Sequence, residues 1–159
     1  MAYLIDGNNF IGYSSSRSLK DPQAKYSLVS RLLIFQSLKK TRVLLVFDGT
    51  PDLNLIGETF QKQKFSVIFP PFGTNADEII KKIISKQTDL RRFFVVSSDR
   101  EIKRFAKSKR ATPLSSKEFN RELQTTLKKH RKSLEIEKKV TSLSPLEINQ
   151  WLKIFKDEK

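Results

Sequence analysis

Four aspartates in this 159-residue chain stand where carboxylates can do chemistry: Asp6, Asp48, Asp77 and Asp99. Asp6 closes the apolar run AYLI, Asp48 follows VLLVF, and Asp99 follows FFVVSS. Asp77 lies just beyond the loop Pro70-Pro71-Phe72-Gly73-Thr74-Asn75. Singly, each has a structural explanation. A carboxylate near a helix N-terminus is worth about 0.3 to 1 kcal/mol, and Asp48-Gly49 is an ordinary turn pair. Gathered together, they repel and raise one another's pKa, a cost that a hard divalent cation removes. Oxygen donors without cysteine or nearby histidine point to Mg²⁺ or Mn²⁺ rather than zinc. A cation held this way suits a substrate that carries phosphate.

The residues between the acids suit that substrate. Gly7 lets the backbone approach closely, Asn8 and Asn9 offer amides, and Ser97 and Ser98 offer hydroxyls and N–H groups beside Asp99. A helix opening at 98 adds a partial positive charge for an anion. Arg100, Lys103, Arg104, Lys107, Lys109 and Arg110 then lead away from Asp99 as a candidate nucleic-acid track. Asn8, Asn9 and Ser98 are counted with it.

The elements that must position these groups are legible from pattern. AYLI, VLLVF, FSVIF (65–69) and FFVVS (93–97) are β-branched and aromatic runs of the kind buried on both faces of a sheet. Asp21-Pro22 opens a helix with an N-cap and a proline at its first position, carrying Leu28, Val29, Leu32, Leu33 and Phe35. Asn75 opens another, with Ile79, Ile80, Ile83 and Ile84 as its stripe. Capping boxes at Ser98–Glu101, Ser115–Glu118 and Ser144–Glu147 predict three more, the last carrying Leu146, Trp151, Leu152 and Phe155 as a packing stripe. The polar stretch 128–143 fits either a linker or a continuation of the helix from 115. The order of strands and helices predicts an α/β fold with a mainly parallel sheet, whose carboxyl edge collects the function.

Charge narrows the partner. Residues 100–132 hold twelve Lys or Arg against Glu101, Glu118 and Glu122, a net +9 of the chain's +14. Such a field attracts a polyanion by releasing its counterions, and nucleic acid is the commonest one inside cells. The basic helices lack the broad apolar face of a membrane-surface anchor. The absence of cysteine excludes disulfides and favours a reducing compartment. Lone His130, among lysines, reads as solvated surface. No apolar run approaches the roughly 18 residues of a membrane span, and the N-terminal run is too short for a signal peptide. A cytoplasmic protein is expected. Aspartyl-phosphate chemistry is disfavoured because Asn8 and Thr50 stand where its second Asp belongs.

DGNN at 6–9, VFDG at 46–49, TNADEIIKKI at 74–83 and VVSSDREIK at 95–103 resemble, in that order, the signature segments of the NYN domain. This is a branch of the PIN-like nucleases, and the likeness is to its YacP-like group over roughly residues 2–123. VFDG alone also resembles flap-type DNA nucleases, whose further acids and helical clamp have little room here. The resemblance implies a PIN-like three-layer α/β/α sandwich and endoribonuclease activity, with messenger RNA cleaved in association with the ribosome. Asp6, Asp77 and Asp99 match its catalytic metal ligands, and Asp48 matches a less certain acid. Glu78 and Glu101 suit either a fourth ligand or helix capping. The organisation expected is a nuclease domain over 1–127, followed by a basic linker and C-terminal helix over 128–159. No organic cofactor is implied. The rival reading is an inactive RNA- or ribosome-binding protein.

Overall fold

The computed structural model describes residues 1–14, 21–52, 55 and 64–142; the box at Ser144–Glu147 and the stripe beyond it lie outside them. The elements run β1 (Ala2–Asp6), α1 (Gly7–Ser14), α2 (Pro22–Lys39), β2 (Arg42–Val46), β3 (Phe65–Ile68), α3 (Ala76–Lys86), β4 (Phe93–Val96), α4 (Arg100–Ser108), β5 (Thr112–Leu114) and α5 (Ser116–Ser142). All strands are parallel, in the order β3-β2-β1-β4-β5. The chain builds outward from β1 in one direction, then in the other. The switch point, where α/β sheets open a crevice for ligands, therefore lies between β1 and β4.

Register assigns the two faces. Leu4 aligns with Leu44 and Val95, and these pack with Ile80 and Ile84 of α3 and Ile102 and Ala106 of α4. On the opposite face Tyr3 stacks on its register partner Phe94 at 5.1 Å. There Phe119 of α5 meets Tyr3, Phe10 of α1 and Phe35 of α2 at 5.4, 5.6 and 5.3 Å. Each such ring pair adds about 0.5 to 1.5 kcal/mol beyond its buried area. The result is a three-layer α/β/α sandwich.

Asp21 accepts a bond from Gln23 N–H ahead of Pro22, Asn75 accepts from Glu78 N–H at 2.9 Å, and Ser115 and Glu118 exchange bonds at 3.1 and 3.2 Å. These are the predicted caps. At α4 the cap is Asp99 rather than Ser98. Its Oδ1 accepts from Glu101 and Ile102 N–H at 2.9 and 3.1 Å.

Two elements were not anticipated. α1 carries Gly7 and Gly12 within eight residues, a composition poor in helix propensity, and forms because Phe10 and Ile11 are wholly buried. β5 is three residues long with Pro113 at its centre; it survives as an edge strand, where proline's missing N–H need not pair.

The chain divides into two compact units, Met1–Leu123 and Gln124–Lys159. The first contains the sheet. In the second, residues 128–142 continue the helix. Among the described residues no helix is long and apolar enough to cross a membrane.

Candidate active site

The DGNN segment fastens the carboxyl edge of the sheet. As α1 leaves β1, Asn8 Oδ1 accepts Asp48 N–H at 3.0 Å, tying the end of β1 to the loop after β2. Asn9 Oδ1 accepts Ser98 N–H at 3.0 Å and the Ser116 hydroxyl at 2.9 Å, tying it to the loops after β4 and β5. Ser98 Oγ in turn accepts Ser116 N–H at 3.2 Å. These groups, expected to face nucleic acid, hold loops in place through the bonds shown. Gly7 has a packing reason. A Cβ there would lie 2.6 Å from two carbons of the Phe47 ring and 3.0 Å from the Val46 carbonyl.

On this fastened edge Asp6 is only 7% exposed. Its carboxylate accepts the Ser97 hydroxyl at 3.2 Å and the Asn9 backbone N–H, both neutral donors. Burial pushes its pKa up to about 6, the charges of Asp77 and Asp99 push the same way, and the two hydrogen bonds oppose them. Burial also raises Asp77, followed by the charges of Asp99, Glu101 and Asp48, with Lys81 opposing. Ser97 Oγ also accepts Asp99 N–H at 3.1 Å, so one buried hydroxyl orients two of the acids. Asp6, Asp77 and Asp99 thus share one electrostatic neighbourhood.

Among the described residues no three His, Asp or Glu stand close enough, as arranged, to hold a metal ion. The donor chemistry nevertheless fits a hard cation. The donors are oxygens only, and the central carboxylate is pushed up in pKa chiefly by burial, with a smaller push from like charges that a cation would neutralise. Glu101 is engaged by Lys81 Nζ at 2.6 Å, and Glu78 is exposed. Lys81 stands one helical turn beyond Asp77. Sequence reading overlooked this cation among the acids, although its i, i+4 spacing was visible.

The basic track starts at the acidic rim and leaves it. α4 begins at the carboxyl edge, so Arg100 and Lys103 adjoin Asp99. Nine residues at about 1.5 Å each then carry the chain roughly 13 Å back across the sheet. Arg104 lies midway and Lys107 near the far end. Lys109 and Arg110 line a hollow of ≈380 Å³ with Asp89 and Arg91, beside the start of β4. A neighbouring hollow of ≈570 Å³ is lined by Arg42, Arg91 and Arg92. Lys40 and Lys64 precede β2 and β3. The amino edge is therefore basic and the carboxyl edge acidic.

A parallel α/β/α sandwich with acidic side chains along its carboxyl edge defines the class. Within that class the chain matches the YacP-like NYN domain over residues 3–155 and belongs to that family. It is similar to crystal structures of Rae1 (YacP) from Bacillus subtilis. One has 24% identity and a TM-score of 0.70, covering 99% of this chain and 91% of that one. The other, a tryptophan-to-leucine mutant, has 26% identity and a TM-score of 0.69, covering 96% and 90%. No curated protein sequence matches the chain. Family membership supports a nuclease-type, RNA-related function.

Proposed function

We propose that the chain is a Mg²⁺- or Mn²⁺-dependent endoribonuclease that hydrolyses phosphodiester bonds of messenger RNA in association with the ribosome. The observation that carries this reading is the buried Asp6, held by the Ser97 hydroxyl at the end of β1 beside the switch point, with Asp77 and Asp99 in its electrostatic neighbourhood. Asp6, Asp77 and Asp99 would hold the metal, which when bound supplies charge neutralisation at the phosphate and a more acidic water. Ser97 orients Asp6 and steadies the loop before Asp99. Arg100 and Lys103, next to the acids, bind substrate phosphates, and Lys81 limits the negative charge around Asp77.

The test is cleavage of labelled RNA and matched single-stranded DNA with Mg²⁺, Mn²⁺ or EDTA, with and without translating ribosomes. RNA products should form with metal, vanish in EDTA, and be lost in Asp6→Asn and Asp99→Asn while RNA affinity persists. Wild-type turnover in either mutant overturns the assignment. Salt-dependent binding with no metal-stimulated product, even on ribosomes, would instead identify an RNA-binding protein.

A further inference from the structure

Phe72 is the one phenylalanine among the described residues that is fully exposed; the others are buried or half-buried. Full burial of such a side chain is worth about 1.5 to 3 kcal/mol, so its exposure calls for a reason. The backbone holds it out. Thr74 N–H and Oγ–H both bond the Pro71 carbonyl, at 3.0 and 2.7 Å, and Gly73 has φ +86°. A glycine with positive φ two residues after Pro71, closed by this bond, is the signature of a β-turn with Phe72 at its apex.

The turn forms one wall of a groove of ≈460 Å³, and Asp48, Gly49, Thr50 and Pro51 form another. One wall thus carries Asp48, and the other leads directly into the first turn of α3, where Asp77 sits. Phe69 also lines the groove. Lys25 Nζ lies over the rings of Phe69 and Phe47, at 5.8 and 5.4 Å from their centroids. An exposed aromatic face, an ammonium group on a neighbouring ring and a groove bordering the acidic rim match the alternation of base and phosphate in a single strand.

We propose that Phe72 stacks on an unpaired base of single-stranded RNA beside the acidic centre, with Lys25 taking the adjoining phosphate. This rests on the nuclease reading of that centre and adds a base-stacking subsite to it. A protein partner that buries Phe72 is the competing occupant, since Pro51, Phe69, Pro70 and Pro71 share the groove with Asp48, Thr50 and Thr74; the position of Asp48 in its wall and Lys25 on Phe69 favour a ligand carrying both base and phosphate. The stack is tolerant of sequence because every base has a π face. It favours unpaired over duplex RNA.

Fluorescence anisotropy with a labelled, unstructured decaribonucleotide, in EDTA to prevent cleavage, tests the subsite on the full chain. Phe72→Ala should weaken binding about 5- to 100-fold, as loss of one stacked base does, without changing the salt dependence. Phe72→Trp should restore affinity, and its added indole emission should be quenched by RNA. Lys25→Ala should lower the salt slope by about one. On an abasic ribose-phosphate oligomer the difference between wild type and Phe72→Ala should vanish. Unchanged affinity in Phe72→Ala, or an equal loss on the abasic ligand, overturns the proposal. The two readings fail separately. Loss of cleavage in Asp6→Asn with unchanged Phe72→Ala binding removes the subsite alone, whereas base-dependent Phe72 binding without metal-stimulated product removes the nuclease alone.

Discussion

Asn9 Oδ1 accepts the backbone N–H of Ser98 at 3.0 Å, joining residues 89 positions apart in the chain. The same oxygen accepts the Ser116 hydroxyl, so three strand ends depend on one amide. Asn9→Ala should destabilise the fold by about 1 to 3 kcal/mol, because two donors lose their acceptor. Asn8→Ala, which frees only the exposed N–H of Asp48, should cost less. Urea midpoints at constant slope measure both.

Asp6 links the acidic centre to stability. A carboxyl whose pKa is raised to about 6 on folding keeps its proton more readily in the folded state than in the unfolded one. Between about pH 4 and 6 the folded state therefore binds more protons, and stability falls as pH rises through that window. The integrated cost near neutrality is on the order of 3 kcal/mol. Asp6→Asn should consequently melt higher than wild type in EDTA at pH 7, and this advantage should shrink towards pH 4. A gap that does not vary with pH would show that Asp6 does not titrate as its surroundings dictate.

At Gly7 the space for a side chain is taken by Phe47, whose ring a Cβ would meet at 2.6 Å. Gly7→Ala should destabilise by about 1 to 3 kcal/mol, as overpacking does. Phe47→Leu should recover part of that loss in the double mutant. A thermal-melt double-mutant cycle gives the coupling directly; additive effects would place the clash elsewhere.

The course of α4 separates cations that are adjacent in sequence. For a tetranucleotide bound at the acidic rim, Arg100→Ala and Lys103→Ala should each lower the salt slope of binding by about one. Lys107→Ala and Arg110→Ala, near or at the opposite edge, should leave it unchanged. With long RNA all four should matter. Equilibrium titrations across a salt series distinguish the two patterns.

What the sequence revealed and concealed follows from how local each signal is. The four longer strands announce themselves because burial on both faces demands continuous β-branched and aromatic runs. The caps at Asp21, Asn75 and Ser115 bond to backbone within three residues of themselves. α1 and β5 were hidden because tertiary packing overrides their glycines and proline. Ser98 matched a capping box, yet it is turned to Asn9 and Ser116, partners far along the chain that no local pattern displays. The acids were legible because a parallel sheet sends every strand end to one edge. The direction of the basic track was not, because contiguity in sequence ends where a helix crosses the sheet.

That same parallel sheet puts every strand start on the other edge, where Lys40, Arg42, Lys64, Arg91, Arg92, Lys109 and Arg110 gather against Asp89. The sheet-bearing unit is consequently an electric dipole as well as a cation. In the field of a polyanion it experiences a torque that turns its amino edge forward, so first contact falls on the side away from the acids. A five-residue strand spans about 17 Å, too far for a dinucleotide to bridge. For the nuclease proposed above, capture and cutting would then act on different stretches of the same molecule, and a substrate's length, apart from its sequence, would determine how well it is used.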